Sequence, residues 1–253
     1  MPASTVEMRA DGLNRVAICL VGLGLHSGHI TRETESALSK CRRVFFIHPG
    51  STMQDWIRTL DADAEDLSMF YRPGVRRSLI YREISAHVLH QAQTLAPVAL
   101  ALYGHPLFFS TLSRMVLAGS QWLKMKSLVL PGLSSIDAIF ADLQIDPGEV
   151  GLQIHEATEL LLHKRSIDPI RGLLVFQPAQ AGDLLHSDRA SLSPFSLVTD
   201  YLLRYYPGSH SVYLVRSATE PWERATTLSV PLASIPEHGI TLPADFTVYV
   251  PPL

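Results

Sequence analysis

The chain has little cysteine, little charge and no long apolar run. Cys19 and Cys41 are the only cysteines in 253 residues, and no C-x-x-C occurs. Neither thiol redox chemistry nor a structural zinc is indicated, and both cysteines read as reduced thiols in a cytoplasmic setting. Charged residues make up 18% of the chain, with a formal net charge of -3. That balance leaves no electrostatic footprint for nucleic acid or an anionic membrane, so neither is an expected partner. No apolar stretch reaches the roughly 18 residues of a membrane span. Residues 1–12 are polar and lack the apolar block of a secretory signal. No G-K-[ST] is present for a P-loop, and no G-x-S-x-G for a serine hydrolase. Gly22-x-Gly24-x-x-x-Gly28 is one residue too long for a dinucleotide fingerprint. The second strand then ends in Phe45-Phe46-Ile47-His48, with no acid for a ribose. His87 and His90 share a helix face at i,i+3 but have no further ligands in view, so no metal site is expected.

What is present is a well-supplied core, 47% apolar, arranged as alternating strands and helices. Residues 15–23, 43–47, 98–102 and 127–130 read as buried strands. Thr31 reads as a helix cap ahead of Glu33 and Glu35. Short helices are expected over 55–60 and 107–118. A long helix is expected over 75–95, where Ile80, Ile84 and Val88 repeat every four residues. Ser134 and Asp137 have capping-box spacing. Such alternation predicts a parallel sheet with right-handed crossovers. Beyond it, strands at 152–154, 173–177, 211–216, 228–235 and 246–250, with helices at 157–164 and 194–206, predict a mixed sheet. The expected division is two α/β domains, 1–133 and 134–253. Two Gly/Pro loops stand out: Tyr103-Gly104-His105-Pro106 and Pro131-Gly132-Leu133-Ser134-Ser135. Each follows a strand, and the carboxyl ends of strands are where an open α/β sheet holds its ligand.

Taken together, Val21-Gly22-x-Gly24, Tyr103-Gly104-His105-Pro106 and Pro131-Gly132-Leu133-Ser134-Ser135 resemble the three cofactor loops of the tetrapyrrole methylase family. Within it, the chain is most similar to the borosin peptide backbone N-methyltransferases. Supporting segments are Gly28-His29-Ile30-Thr31, the Tyr71/Arg77/Tyr81 set, Phe140-Ala141-Asp142-Leu143 with Asp146-Pro147-Gly148, Glu156-Ala157-Thr158, and Thr247-Val248-Tyr249-Val250-Pro251-Pro252. The resemblance implies a tetrapyrrole methylase-like fold of two α/β domains with S-adenosyl-L-methionine in the cleft between them, in a homodimer. It places Gly22 and Gly24 in the first cofactor loop. Tyr103, His105, Phe108 and Phe109 would line the methionine and adenosine pocket, and Ser134 and Ser135 would offer backbone and hydroxyl groups. Gln177 would bond the adenine, and Ala218, Thr247 and Val248 would close the far side. A sulfonium cofactor without phosphate suits an apolar slot with backbone donors rather than a lysine-rich cradle. Plain core packing is the alternative for Phe108 and Phe109.

The resemblance also implies that Tyr71, Arg77 and Tyr81 are catalytic. A backbone amide nitrogen is a poor nucleophile because its lone pair is delocalised into the carbonyl. Arg77 and Tyr81 share a helix face at i,i+4, and Tyr71 lies just before it. A cation beside a phenol favours phenolate, so the expectation is a lowered tyrosine pKa and an amide that is deprotonated or polarised. Ring packing against Ile84 is the alternative for Tyr81. Four features depart from the family pattern. Ser68 stands where a further tyrosine is usual, and Leu107 where a glycine is usual. Arg76 beside Arg77 leaves the guanidinium register open, and residues 54–70 are short for a peptide entry region. The sequence ends at Leu253 without the clasp and tail of fused borosins, which gives a separate precursor peptide as the expected acceptor. C-methylation of a tetrapyrrole, and a cofactor-binding peptide module with little turnover, remain as alternatives.

Overall fold

In a computed structural model, the structure describes residues 16–183, 185, 186, 192–239 and 245–253. The chain divides into two compact units. One takes the chain as far as Ala138 together with Ala218–Glu223, and the other comprises Ile139–Ser217 and Arg224–Leu253. Ser134 and Ser135, read from the sequence as the start of the second domain, therefore lie with the first unit. So does Ala218–Glu223, a stretch that no local signal marks.

The first unit is a parallel sheet of β1 (Ile18–Gly22), β2 (Arg43–Ile47), β3 (Glu65–Asp66), β4 (Val98–Leu102) and β5 (Ser127–Leu130). Its order is β3-β2-β4-β1-β5. Every residue of β1 and β4 is buried, because helices cover both faces, as parallel crossovers require. Cys19 and Val21 face α1 (Arg32–Leu38) and α2 (Ser51–Leu60), where Ala37, Leu38, Met53 and Ile57 complete the packing. Ile18 and Leu20 face α3 (Arg77–Leu95) and α4 (Thr111–Trp122), against Ile80, Ile84, Val88, Leu112 and Val116. The four-residue apolar repeat read in the sequence is thus the buried stripe of α3. Thr31 caps α1 by accepting the Thr34 N–H at 3.1 Å.

Several boundaries differ from the sequence reading, each for a local reason. The helix expected from 107 begins at Thr111. His105 Nδ1 takes the Leu107 N–H at 3.1 Å, Phe109 adopts φ +49, and Ser110 is the cap, accepting from Ser113 N. Phe108 and Phe109 therefore belong to the loop. Helix α2 starts at Ser51 rather than 55, through a cap supplied from far along the chain. Residues 67–70 form a 3-10 turn ahead of Tyr71. Arg15, read as the start of the first strand, lies outside the described residues.

The second unit contains α5 (Ser135–Leu143) from Ile139 onward, α6 (Pro147–Val150), β6 (Leu152–Glu156), α7 (Ala157–Leu162), β7 (Gly172–Phe176), α8 (Leu192–Leu202), β8 (Ser211–Arg216), β9 (Thr226–Pro231), α9 (Ile235–Gly239) and β10 (Thr247–Val250). The sheet order is β6-β7-β10-β8-β9. Only β6 and β7 run parallel; the other pairs are antiparallel. Leu173, Val175, Val212, Leu214, Val230, Val248 and Val250 pack one face against α7, α8 and α9. The strand expected over 228–235 ends at Pro231 and gives way to a 3-10 turn, Leu232–Ser234.

Candidate active site

Strands β1 and β4 are neighbours, yet their following helices lie on opposite faces: α1 over the Cys19 side, α4 over the Ile18 side. The connections part there, at the carboxyl ends of the two strands, which is where an open α/β sheet receives its ligand. Three loops meet at it. After β1, Gly24 and Gly104 form an antiparallel bridge, with Gly104 N–H donating to Gly24 O at 2.9 Å. After β5, Gly132 lies against Gly22. A Cβ on Gly22 would sit 2.5 Å from Gly132 N and 2.7 Å from Gly104 O, and one on Gly132 would sit 2.6 Å from Gly22 C. No side chain fits at either position, so backbone meets backbone.

The loops carry the expected aromatic groups. Tyr103 is half-buried, and its N–H donates to Ile47 O at 3.0 Å. Phe108 and Phe109 have ring centroids 4.5 Å apart. Phe109 is partly exposed, so plain core packing does not account for it. Leu107 is 46% exposed, so the side chain that replaces a glycine adds no bulk inside the loop. Ser134 is placed differently from the expectation. Its N–H and hydroxyl both go to Asp137 Oδ2, at 2.7 and 3.1 Å. Capping α5 occupies the groups it was expected to offer. Ser135 is half-buried at the first position of that helix.

Near the start of α3, Tyr71 and Tyr81 lie edge-on with ring centroids 6.3 Å apart. Arg77 acts on both phenols, whereas Arg76 beside it is exposed. The direction of the pKa shift corrects the sequence expectation. Burial pushes both phenols upward, and the Arg77 charge offsets this only in part. Both tyrosines are neutral donors at physiological pH, not phenolates. Arg72 pairs with Glu83 and holds the preceding loop onto α3. Ser68 is exposed, and its carbonyl accepts the Tyr71 N–H at 3.0 Å.

In the second unit, Gln177 follows the last residue of β7 in a left-handed conformation, φ 56 and ψ 40. The β7–β10 and β8–β10 registers bring Gln177, Thr247 and the end of β8 to one edge of the sheet. Thr247 lies on the face opposite the apolar core, whereas Val248 is fully buried within that core. β10 is paired on both sides, and the Val248 side chain packs into the core rather than onto the opposite face. Ala218 is half-buried and lies with the first unit.

Two residues escaped the sequence reading. His48 is 2% exposed; its Nδ1 accepts the Gly50 N–H at 3.0 Å and its Nε2 lies 3.3 Å from Gly24 O. Glu220 caps α2 across 169 residues, which no local pattern foretells. The thiols of Cys19 and Cys41 are pushed upward by burial, Cys41 to about 12, and stay inert. Among the described residues no cluster of three metal-binding side chains occurs, and no helix is long and apolar enough to cross a membrane.

Residues 17–235 match the profile of the Tetrapyrrole (Corrin/Porphyrin) Methylases. The chain belongs to the tetrapyrrole methylase family. Among curated family relatives, a methyltransferase/ribosomally synthesized cyclic peptide lentinulin A precursor of Lentinula edodes is 28% identical over 250 residues, covering 97% of this chain and 60% of that protein. The omphalotin A precursor of Omphalotus olearius, likewise a methyltransferase/cyclic peptide precursor, is 27% identical over 240 residues, covering 93% and 58%. The chain thus spans about 60% of the length of such methylase relatives. Among solved structures, uroporphyrin-III C-methyltransferase of Thermus thermophilus, complexed with S-adenosyl homocysteine, superposes with a TM-score of 0.63 at 16% identity, covering 92% of this chain and 96% of that one. The tetrapyrrole methylase fold is therefore shown.

Proposed function

We propose that this chain is an S-adenosyl-L-methionine-dependent methyltransferase acting on backbone amides of a peptide. The observation that carries the reading is the pair of neutral tyrosines under the influence of one guanidinium, Tyr71, Tyr81 and Arg77, in a chain whose relatives are peptide-precursor methyltransferases. The strand-end loops suit the cofactor. Residues 22–28, 103–110 and 131–135 contain no Lys, Arg, Asp or Glu. They offer backbone groups and aromatic rings, which match an adenosine and a sulfonium, and no cationic side chain for a phosphate. Gly24, Tyr103, His105, Phe108 and Phe109 of the first unit would hold it.

When bound, the cofactor supplies an electrophilic methyl group. The protein must then make an amide nitrogen reactive. A neutral phenol donates a hydrogen bond, so Tyr71 is suited to the amide oxygen. Arg77 stabilises the negative charge that the amide oxygen takes on as the N–H proton leaves to water, and that charge is discharged when the nitrogen takes the methyl group. Tyr81 holds the Tyr71 ring edge-on and limits its rotation. Orientation supplies the rest, because methyl transfer is an in-line displacement. A homodimer, implied by the family resemblance, accompanies this reading.

The test offers the purified chain S-adenosyl-L-methionine and a synthetic peptide as a separate molecule, with tandem mass spectrometry locating any added methyl groups. Backbone N-methylation is the expected result. Methylation of a uroporphyrinogen in place of the peptide overturns the acceptor assignment. Unmodified peptide despite bound cofactor leaves a binding module.

A further inference from the structure

We propose that His48 and Glu220 are a buried positioning pair that locks the β1 and β4 loops and the Ala218–Glu223 stretch into a cofactor-ready arrangement. The proposal rests on the cofactor reading above. Neither residue is in the ligand-lining set; each acts through backbone that is.

The hydrogen bonds of His48 fix its tautomer. The Gly50 N–H donates to Nδ1, so that nitrogen carries no proton. The proton is on Nε2, which donates to Gly24 O. The same carbonyl accepts the Gly104 N–H, so one oxygen gathers the β1 loop, the β4 loop and the His48 ring. The ring also meets Tyr103 edge-to-face at 5.1 Å. Burial holds the imidazole neutral, down to about 4. The groups acting on it are Glu220, which opposes that shift, and His26 of the β1 loop, which reinforces it; the Tyr103 ring faces it from the β4 loop.

Glu220 completes the lock from the other side. Gly50 precedes α2 and has no side chain to cap it. The Glu220 carboxylate does so instead, accepting from Ser51 N at 2.6 Å, Ser51 Oγ at 3.0 Å, Thr52 N at 3.4 Å and the Thr52 hydroxyl. The Thr52 hydroxyl above all, then the Ser51 hydroxyl and the Ser51 and Thr52 N–H groups, hold the carboxyl below its usual range despite burial. Gly50 is wedged between the partners. A Cβ there would lie 2.7 Å from Thr219 O, 3.2 Å from His48 Cε1 and 3.3 Å from Glu220 Oε1. The path runs from Ala218 through Glu220 and Gly50 to His48, Gly24 and Tyr103 without a gap.

The experiment is titration calorimetry of the purified chain with S-adenosylhomocysteine, with nitrogen NMR of the His48 ring. His48→Ala is expected to raise Kd about tenfold, the worth of a lost buried hydrogen bond. His48→Gln, whose amide can still donate to Gly24 O, should return Kd to within about threefold of wild type. Glu220→Gln should weaken binding about threefold. Stoichiometry near one shows that the measured molecules are folded, which separates misplaced loops from mere loss of folded protein. The ring should report protonated Nε2 and bare Nδ1. Unchanged Kd in His48→Ala and Glu220→Gln, or a ring protonated on Nδ1, overturns the proposal. If His48→Ala does not fold, His48→Gln and Glu220→Gln decide it: wild-type affinity in Glu220→Gln, or a tenfold loss in His48→Gln, counts against it. A wild-type chain that binds no S-adenosylhomocysteine removes the cofactor reading and this proposal together, whereas binding that ignores all three variants removes only this one.

Discussion

The two sheets have five strands each and put them to different use. In the first unit all strands run the same way, so every carboxyl end falls on one side, and three glycine-bearing loops can meet there. In the second, only β6 and β7 are parallel, and the edge that carries Gln177 and Thr247 mixes strand starts with strand ends. Parallel order concentrates backbone; antiparallel order brings single residues such as Gln177 and Thr247 to an edge. The first arrangement depends on glycine and tolerates no bulk. The second depends on packing and tolerates change at its surface.

The comparison breaks hardest at the tyrosine–arginine set of the first unit. Arg77→Ala should lower turnover about a thousandfold, the scale of a lost oxyanion stabiliser, while the calorimetric Kd for S-adenosylhomocysteine stays within about threefold. Tyr71→Phe should follow. Because burial raises both phenols, turnover should not climb across neutral pH as a phenolate forms; a steep rise there would restore the base role. Next comes the glycine contact. Gly22→Ala should cost about 3 kcal/mol or more in denaturant unfolding, since its Cβ meets backbone rather than a movable side chain. Gly208→Ala in the second unit meets the side chains of Ala233 and Leu203, at 3.3 and 3.5 Å, rather than backbone, and should cost clearly less.

His48 gives a third test. Its pKa falls from an ordinary 6.5 to about 4 on folding. The unfolded chain therefore takes the proton first as pH drops. Stability from this group is complete above about pH 6.5 and is lost as pH falls toward 4, by about 3 kcal/mol in all. Chemical denaturation of wild type against His48→Gln should show that slope only in wild type. The smallest effect belongs to the second core: Val248→Ala should cost about 2 kcal/mol of stability and leave cofactor affinity unchanged, because its side chain points into apolar packing.

Much of the first unit was legible because its signals are local. β2, β4 and β5 were read at their observed bounds, and Thr31 and Ser134 cap where their spacing says. The start of α4 was missed because His105, Phe109 and Ser110 redirect the chain by side-chain bonds and a positive φ, which apolar spacing does not encode. The tyrosine–arginine set was proposed from resemblance, and the direction of its tyrosine shifts came out reversed, since burial is a tertiary property. Glu220 had no signal at all. Its partners are 168 and 169 residues away, and an acid in a loop looks solvated until the helix it caps is in place.

That cap has a consequence for how the protein is made. The sheet of the first unit is complete in sequence by Leu130, but the carboxylate that finishes α2 emerges from the ribosome only after Ile139–Ser217 has been synthesised. Until then the four donors that Glu220 satisfies in the complete fold are left to water. The last stitch of the earliest-made piece waits for a later one, so the order of translation and the order of closure run against each other.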